Sequence, residues 1–320
     1  MWNEVLKRID STQTPQNAVK RWKGDASSVH LVSDGINLVY RFEKNSQGYY
    51  LRLTHAELRK EDEIQAAIAY QHHLFNCGAK VCEPLVSNNG LWVEAIQQDK
   101  DLFLAHVCRE VHGQPIHYDY HDLALYEEWG KALGQFHRAA QTFQPGDHDY
   151  TNWQKSLEEL HDYARHESKA VQKILCDVTN YFTARKQTLE NYGLTHGDHR
   201  EGNVLTDGHQ IHIIDFDLPS QNWFMEDVVR PFFHPIVHDE KNWQDKFPSY
   251  LKGYLSVMPK ESIDLTAFPK QIQMKCLEIY LWTKNNWNAE EAPGGDDTLT
   301  WLDRIHQKII TTNWIDQLPL

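Results

Sequence analysis

No stretch of the 320-residue chain approaches the roughly 18 consecutive apolar residues that a membrane-spanning helix requires. The opening run MWNEVLKRID also lacks the apolar centre of a secretory signal. Cysteine is sparse: Cys77, Cys82, Cys108, Cys176 and Cys276 form no CxxC pair, and an odd number argues against a disulfide framework. Basic residues are outnumbered, 32 against 45 acidic, for a formal net charge of −13. That balance argues against nucleic acid and anionic membrane as partners. Neither GxGxxG nor GxxxxGK[ST] occurs, which excludes two common glycine-rich phosphate loops. Internal repeats and low-complexity segments are absent. The expectation is a reduced, cytoplasmic, globular protein, for which 41% hydrophobic and 24% charged residues are ordinary values. The sequence leaves its oligomeric state open.

What is present falls into two parts. Leu38, Tyr40 and Phe42 alternate with Val39 and Arg41, and the turn KNSQG leads into YYLRL, the pattern of a hairpin of half-buried strands. A helix is predicted over 58–76, ending at Gly78, and LWVEAI and LFLAHV read as further strands. Beyond about residue 112 helices dominate. Leu125, Trp129, Leu133 and Phe136 recur at helical spacing over 122–140, and helical patterns return at 153–191, 270–287 and 299–315. The stretch between 191 and 270 reads as a β-rich insert. The chain is thus α+β and bilobal, with a small strand-rich lobe over 1–111 and a larger, mostly helical lobe over 112–320.

The chemistry concentrates in LTHGDHREGNVL, residues 194–205. So many polar groups in one short run would be costly in an ordinary core. Asp198 and Asn203 stand in the spacing D-x-x-x-x-N, and Asp215 follows the apolar run Ile211–Ile214. One carboxylate can orient an acceptor hydroxyl, while an Asn and a second carboxylate hold Mg²⁺ on nucleotide phosphates. Mg²⁺ prefers the oxygen ligands that Asn and Asp supply.

HGDHREGNVL followed by IHIIDFDLPSQNWFMEDVV resembles the aminoglycoside phosphotransferase and choline kinase superfamily, whose members share the protein-kinase fold. The resemblance implies an ATP- and Mg²⁺-dependent kinase that phosphorylates a hydroxyl of a small molecule. It makes Asp198 the catalytic base, and Asn203 and Asp215 the metal ligands. His196 reads as a brace of the loop, and Asp227, the family's further acid, as a cap or brace. Asp217 is either an outward structural acid or a contact to a second metal. In the N-terminal lobe the resemblance calls for a strand-borne cation, here Arg52, on the face opposite Leu51 and Leu53. Its helix partner should be Glu, but the family's spacing falls on Ala67, and Glu63 lies one turn earlier. The turn SDGIN would cover the phosphates, with Asn37 contacting them, and Val107–Gly113 would face adenine.

A metal hydrolase is a competing reading of HGDH, but HxHxDH would need histidine where Leu194 stands. A Ser/Thr protein kinase of the bacterial stress-response type and a non-catalytic nucleotide-binding regulator keep the fold and change the task. The acidic, Trp-rich C-terminal half (NWF at 222–224, Trp282, Trp287, Trp301 and EEAPGGDD at 290–297) fits either a cationic acceptor or core tryptophans beside a solvated loop.

Overall fold

The computed structural model describes residues 8–117, 121–240, 243–287, 289–292 and 296–311. After the short helix α1 (Gln13–Val19), the chain enters β1 (Asp25–Asp34), then the expected hairpin of β2 (Leu38–Lys44) and β3 (Gln47–His55). Asn45 and Ser46 close that hairpin with φ of 52° and 60°. A two-residue loop with both φ positive matches the twist of the flanking strands. Helix α2 (Glu61–Asn76) follows, and Gly78, at φ 81°, takes the left-handed position just past its end. Then come β4 (Pro84–Leu85), β5 (Glu94–Gln98) and β6 (Asp101–Arg109). These strands form one antiparallel sheet in the order β1-β2-β3-β6-β4, with β5 on β6. Leu51 and Leu53 are fully buried on one face of β3, while Arg52, between Val39 and His106 in register, lies on the other.

The connection β7 (Gln114–Pro115) leads to α3 (Leu123–Ala140), capped by the Asp122 carboxylate on the amides of Ala124 and Leu125. The chain continues through β8 (Thr151–Asn152), α4 (Trp153–Tyr163), α5 (Lys169–Thr183) and β9 (Tyr192–Thr195). Next are β10 (Val204–Thr206), β11 (Ile211–Ile213) and β12 (Ser220–Trp223), and then α6 (Met225–Val237), α7 (Trp243–Leu255), α8 (Phe268–Asn286) and α9 (Thr298–Ile310). β7, β10 and β11 form one small sheet, and β8, β12 and β9 another. The expected helix over 299–315 is seen to Ile310, and residues 312–315 lie outside the described residues. Among the described residues no helix is long and apolar enough to cross a membrane.

One expectation is corrected. The stretch between 191 and 270 contains two helices, α6 and α7, besides its strands. Pro231, Pro235 and Pro248 sit inside them and hide the helical pattern. Each proline removes one backbone hydrogen bond, but α6 is buried on nearly all sides and that burial outweighs the loss. Helices α3 and α7 meet backbone to backbone. A Cβ on Gly130 would collide with the Tyr250 carbonyl, and one on Gly253 with that of Glu127.

Separate clusters of apolar side chains fill the two lobes. Helix α2 joins both halves. Its Ala66, Tyr70 and Leu74 belong to the large helical core, Ile64 and Ile68 pack on Leu104 of the sheet, and the Tyr70 hydroxyl donates to the Leu194 carbonyl at 2.6 Å.

Candidate active site

The polar loop after β9 is built on buried Asp227, at the start of α6. Its carboxylate accepts the amides of His196 at 2.7 Å and Gly197 at 3.1 Å, and bonds His137 Nε2 at 3.1 Å. Burial alone would raise its pKa, but the His137 bond and the surrounding histidines bring it down to about 2. Gly197 takes φ 81°, and a Cβ there would strike the Leu218 carbonyl, so the turn needs glycine. The His196 ring spans the loop: Nε2 donates to the Ile214 carbonyl at 2.9 Å and Nδ1 accepts the Asp198 amide at 3.3 Å. Both side chains act as braces. His199, fully buried, accepts the indole N–H of Trp129 at 2.9 Å.

Asp198 is held at both oxygens. Arg230 of α6 donates to Oδ1 at 2.7 Å and 3.1 Å, and Arg200 donates to Oδ2 at 3.1 Å. Burial pushes the Asp198 pKa up, but Arg230 and then Arg200 pull it well below the ordinary carboxylate value. The Asn203 amide donates to the Asp198 carbonyl at 2.8 Å and to its Oδ2 at 2.9 Å. That leaves the Asn203 carbonyl oxygen as the atom it can offer to a cation. The Ile214 amide donates to the Asn203 backbone carbonyl at 2.9 Å, which sets Asp215 beside Asn203. Asp215 has φ 70°, a conformation uncommon outside glycine, and its side chain is 35% exposed. Asp198, Asn203 and Asp215 are thereby brought together.

A cleft of about 770 Å³ lies between this loop and the sheet. Arg52, Cys108, Val111 and Gly113 line it from the N-terminal side, and Asn203, Asp215 and Asp217 from the other. The expected strand cation and the segment expected to face adenine therefore do border one space. Arg52 Nη1 bonds Asp215 at 2.8 Å and Asp217 at 3.0 Å.

Two expected nucleotide contacts are corrected. Glu63 does not pair with Arg52. Its carboxylate accepts the Lys60 amide at 3.3 Å in a capping box at the start of α2. Asn37 is buried, with its amide on Asp217 and its carbonyl taken by Thr54, so its side chain is not free for phosphate. Sequence reasoning missed Arg230, Arg200 and Arg59. Only Arg200 lay inside a recognisable motif. The tryptophans resolve mainly as packing: Trp223 and Trp301 are core, and Trp287 donates to the Glu291 carbonyl. Asp296 pairs with Arg304 and Asp297 caps α9, while residues 293–295 of the acidic run lie outside the described residues.

The sequence model of the phosphotransferase enzyme family matches residues 29–248, more than half of the chain and all of this site. The chain belongs to that family. As a phosphotransferase of this family it is a small-molecule kinase whose acceptor group is a hydroxyl. Amicoumacin kinase of Bacillus subtilis (strain 168) is 25% identical over 288 residues, covering 87% of this chain and 86% of the relative. Among solved structures, the amicoumacin kinase hAmiN in complex with AMP-PNP, Ca²⁺ and Ami superposes with a TM-score of 0.84. It is 22% identical, covering 97% of this chain and 96% of that one. A microcompartment-associated aminopropanol kinase follows at TM-score 0.72 and 15% identity, covering 92% and 94%. These likenesses show the bilobal kinase-like fold of the phosphotransferase.

Proposed function

We propose that this phosphotransferase moves the γ-phosphoryl group of ATP to a hydroxyl of an amine-bearing small molecule, with Mg²⁺ held by Asn203 and Asp215. One observation carries the reading: two oxygen donors and a strand cation line a single cleft, and one of the donors, Asn203, is hydrogen-bonded to the base candidate Asp198. The donors fit the ion. Asn203 is oriented with its carbonyl oxygen unspent, and Asp215 presents a half-exposed carboxylate beside it. Held by Asn203 and Asp215, Mg²⁺ would neutralise negative charge on the nucleotide phosphates.

The chain's own residues divide the remaining work. Arg52 grips the nucleotide phosphates from the sheet. Asp198 receives the acceptor hydroxyl at Oδ2, in the place that the exposed Arg200 side chain now fills and would have to leave. A carboxylate of ordinary pKa ~3.9 cannot deprotonate an alcohol, whose pKa is close to that of water at ~15.7. Arg230 and Arg200 make this one weaker still as a base. Asp198 therefore orients the hydroxyl and accepts its proton late, as a loose phosphoryl-transfer transition state permits. The amine-bearing acceptor is suggested by the relatives named for amicoumacin and aminopropanol. The division into a nucleotide-binding lobe over 1–111 and an acceptor lobe over 112–320 belongs to the same reading; residues 1–7 and 312–320 lie outside the described residues.

The test is turnover of ATP against a panel of hydroxyl compounds with and without an amine. Phosphorylation of at least one amino alcohol or aminated natural product is expected. Phosphorylation of protein serine instead, or tight ATP binding with no acceptor consumed, would replace this reading by a protein kinase or a regulator.

A further inference from the structure

We propose that Asp217 is the positioning residue for Arg52, standing in for the helix acid that this chain lacks. The proposal rests on the ATP-kinase reading above and deepens it. Where the resemblance calls for a helix Glu, the chain has Ala67, and its side chain faces the cleft. Glu63 is spent on capping α2. Helix α2 therefore brings no carboxylate to Arg52.

The missing charge comes from the opposite wall. Arg52 Nη1 stands 3.0 Å from Asp217 Oδ1, and Arg59 Nη1, just before α2, stands 3.0 Å from the same oxygen. The Asn37 amide donates to the other oxygen, and Asn37 is itself held by the Thr54 hydroxyl. One acid thus gathers a strand cation, a cation at the foot of the helix, and the turn between β1 and β2. The usual polarity is reversed: the helix side contributes Arg59, and the anion comes from the segment following Asp215. The side chains of Arg52, Arg59 and Asp217 are 19%, 14% and 24% exposed, so water screens them less than a surface pair.

The arrangement also says which contact is lasting. Arg52 now bonds Asp215 as well, at 2.8 Å, but Asp215 is the carboxylate assigned to the metal. Once Asp215 turns to a cation, Asp217 is the anion left to hold Arg52. Both oxygens of Asp217 already accept from three donors, two of them cationic, which disfavours a second metal there.

Asp217→Asn keeps the shape and removes the charge. The expected result is a KM for ATP raised on the order of tenfold, the size of one lost charged hydrogen bond. kcat should change less, and the Mg²⁺ concentration for half-maximal rate should stay the same. Adding Ala67→Glu to that variant supplies a helix carboxylate and should recover most of the ATP affinity; a merely structural defect would not be rescued this way. Arg59→Gln should raise KM less than Asp217→Asn does. An unchanged KM for ATP in Asp217→Asn overturns the positioning role. So does a shifted Mg²⁺ requirement with normal ATP affinity at saturating metal, which would make Asp217 a ligand. If wild type neither binds nor turns over ATP, the kinase reading falls and takes this one with it; an active wild type beside a normal Asp217→Asn removes only the positioning role.

Discussion

The two walls of the cleft are held together over very different lengths of chain. On the C-terminal side, Asn203 reaches Asp198 across 5 residues, His196 reaches Ile214 across 18, and Asp227 reaches Gly197 across 30. On the N-terminal side, Arg59 meets Asp217 across 158 residues, Arg52 meets Asp215 across 163, and Asn37 meets Asp217 across 180. The first wall is held mainly by bonds within the C-terminal lobe, these short links among them. The second exists only when the lobes are together. On the proposed reading, chemistry that must stay fixed through a catalytic cycle sits in the local wall, and the grip on the nucleotide in the distant one.

The contrast is broken most directly at Asp198. Asp198→Asn should lower kcat by ~10²–10⁴, the range for losing a general base, with ATP affinity nearly unchanged. Loss of ATP binding with intact turnover would mean that the roles of Asp198 and Asp215 are exchanged.

A smaller but clean effect is expected at Asp215. ATP with Mg²⁺ at about 100 times its Kd should stabilise the wild type by roughly 2.7 kcal/mol, seen as a rise in Tm. Asp215→Ala should lose the metal-dependent part of that rise. Equal shifts in both proteins would remove Asp215 from the metal site.

The local wall also predicts a pH dependence. Burial pushes the His199 pKa down to about 3, so the folded chain keeps this ring neutral where the unfolded chain, with a pKa near ~6.5, takes up a proton. Its contribution is complete above the unfolded value and is lost as pH falls below it. The slope is at most about 1.4 kcal/mol per pH unit for one histidine. His199→Gln, which can still accept from Trp129, should flatten the fall of denaturant-measured stability between pH 6 and pH 4. An unaltered slope would show that His199 is protonated in the folded protein.

The smallest effect sharpens the comparison from the other wall. Glu63→Ala should cost about 0.5–1 kcal/mol of stability through the lost cap and leave the KM for ATP unchanged. A raised KM would restore the ion pair with Arg52 that the structure lacks.

These separations also explain what could be read before folding. The hairpin, α2, α3 and the motif from His196 to Asp215 are set by neighbours in sequence, and their residue pattern carries them. Arg52 could be placed on the cleft face because alternation along β3 is itself local. Arg59 and Arg230 carry no local signature: an arginine before a helix and one within it look the same whether they meet solvent or a carboxylate far along the chain. Asn37 looked like a turn residue free for phosphate, and only the approach of Asp217 and Thr54 decides otherwise. Helices α6 and α7 were obscured by their prolines, which local propensity penalises and burial in a large core overrides.

The glycine seam between α3 and α7 has a consequence for how this enzyme can change over generations. Trp129, next to Gly130 on α3, holds His199, which is the neighbour of Asp198 along the chain. A single methyl group at Gly130 or Gly253 would force the helices apart and carry that displacement toward the reacting centre. In a library of random variants selected for turnover, these two uncharged positions, neither of which lines the cleft, should be nearly as intolerant as the aspartates. Adaptation to new acceptors must then proceed through side chains on surrounding helices, with the spacing of this pair inherited unaltered.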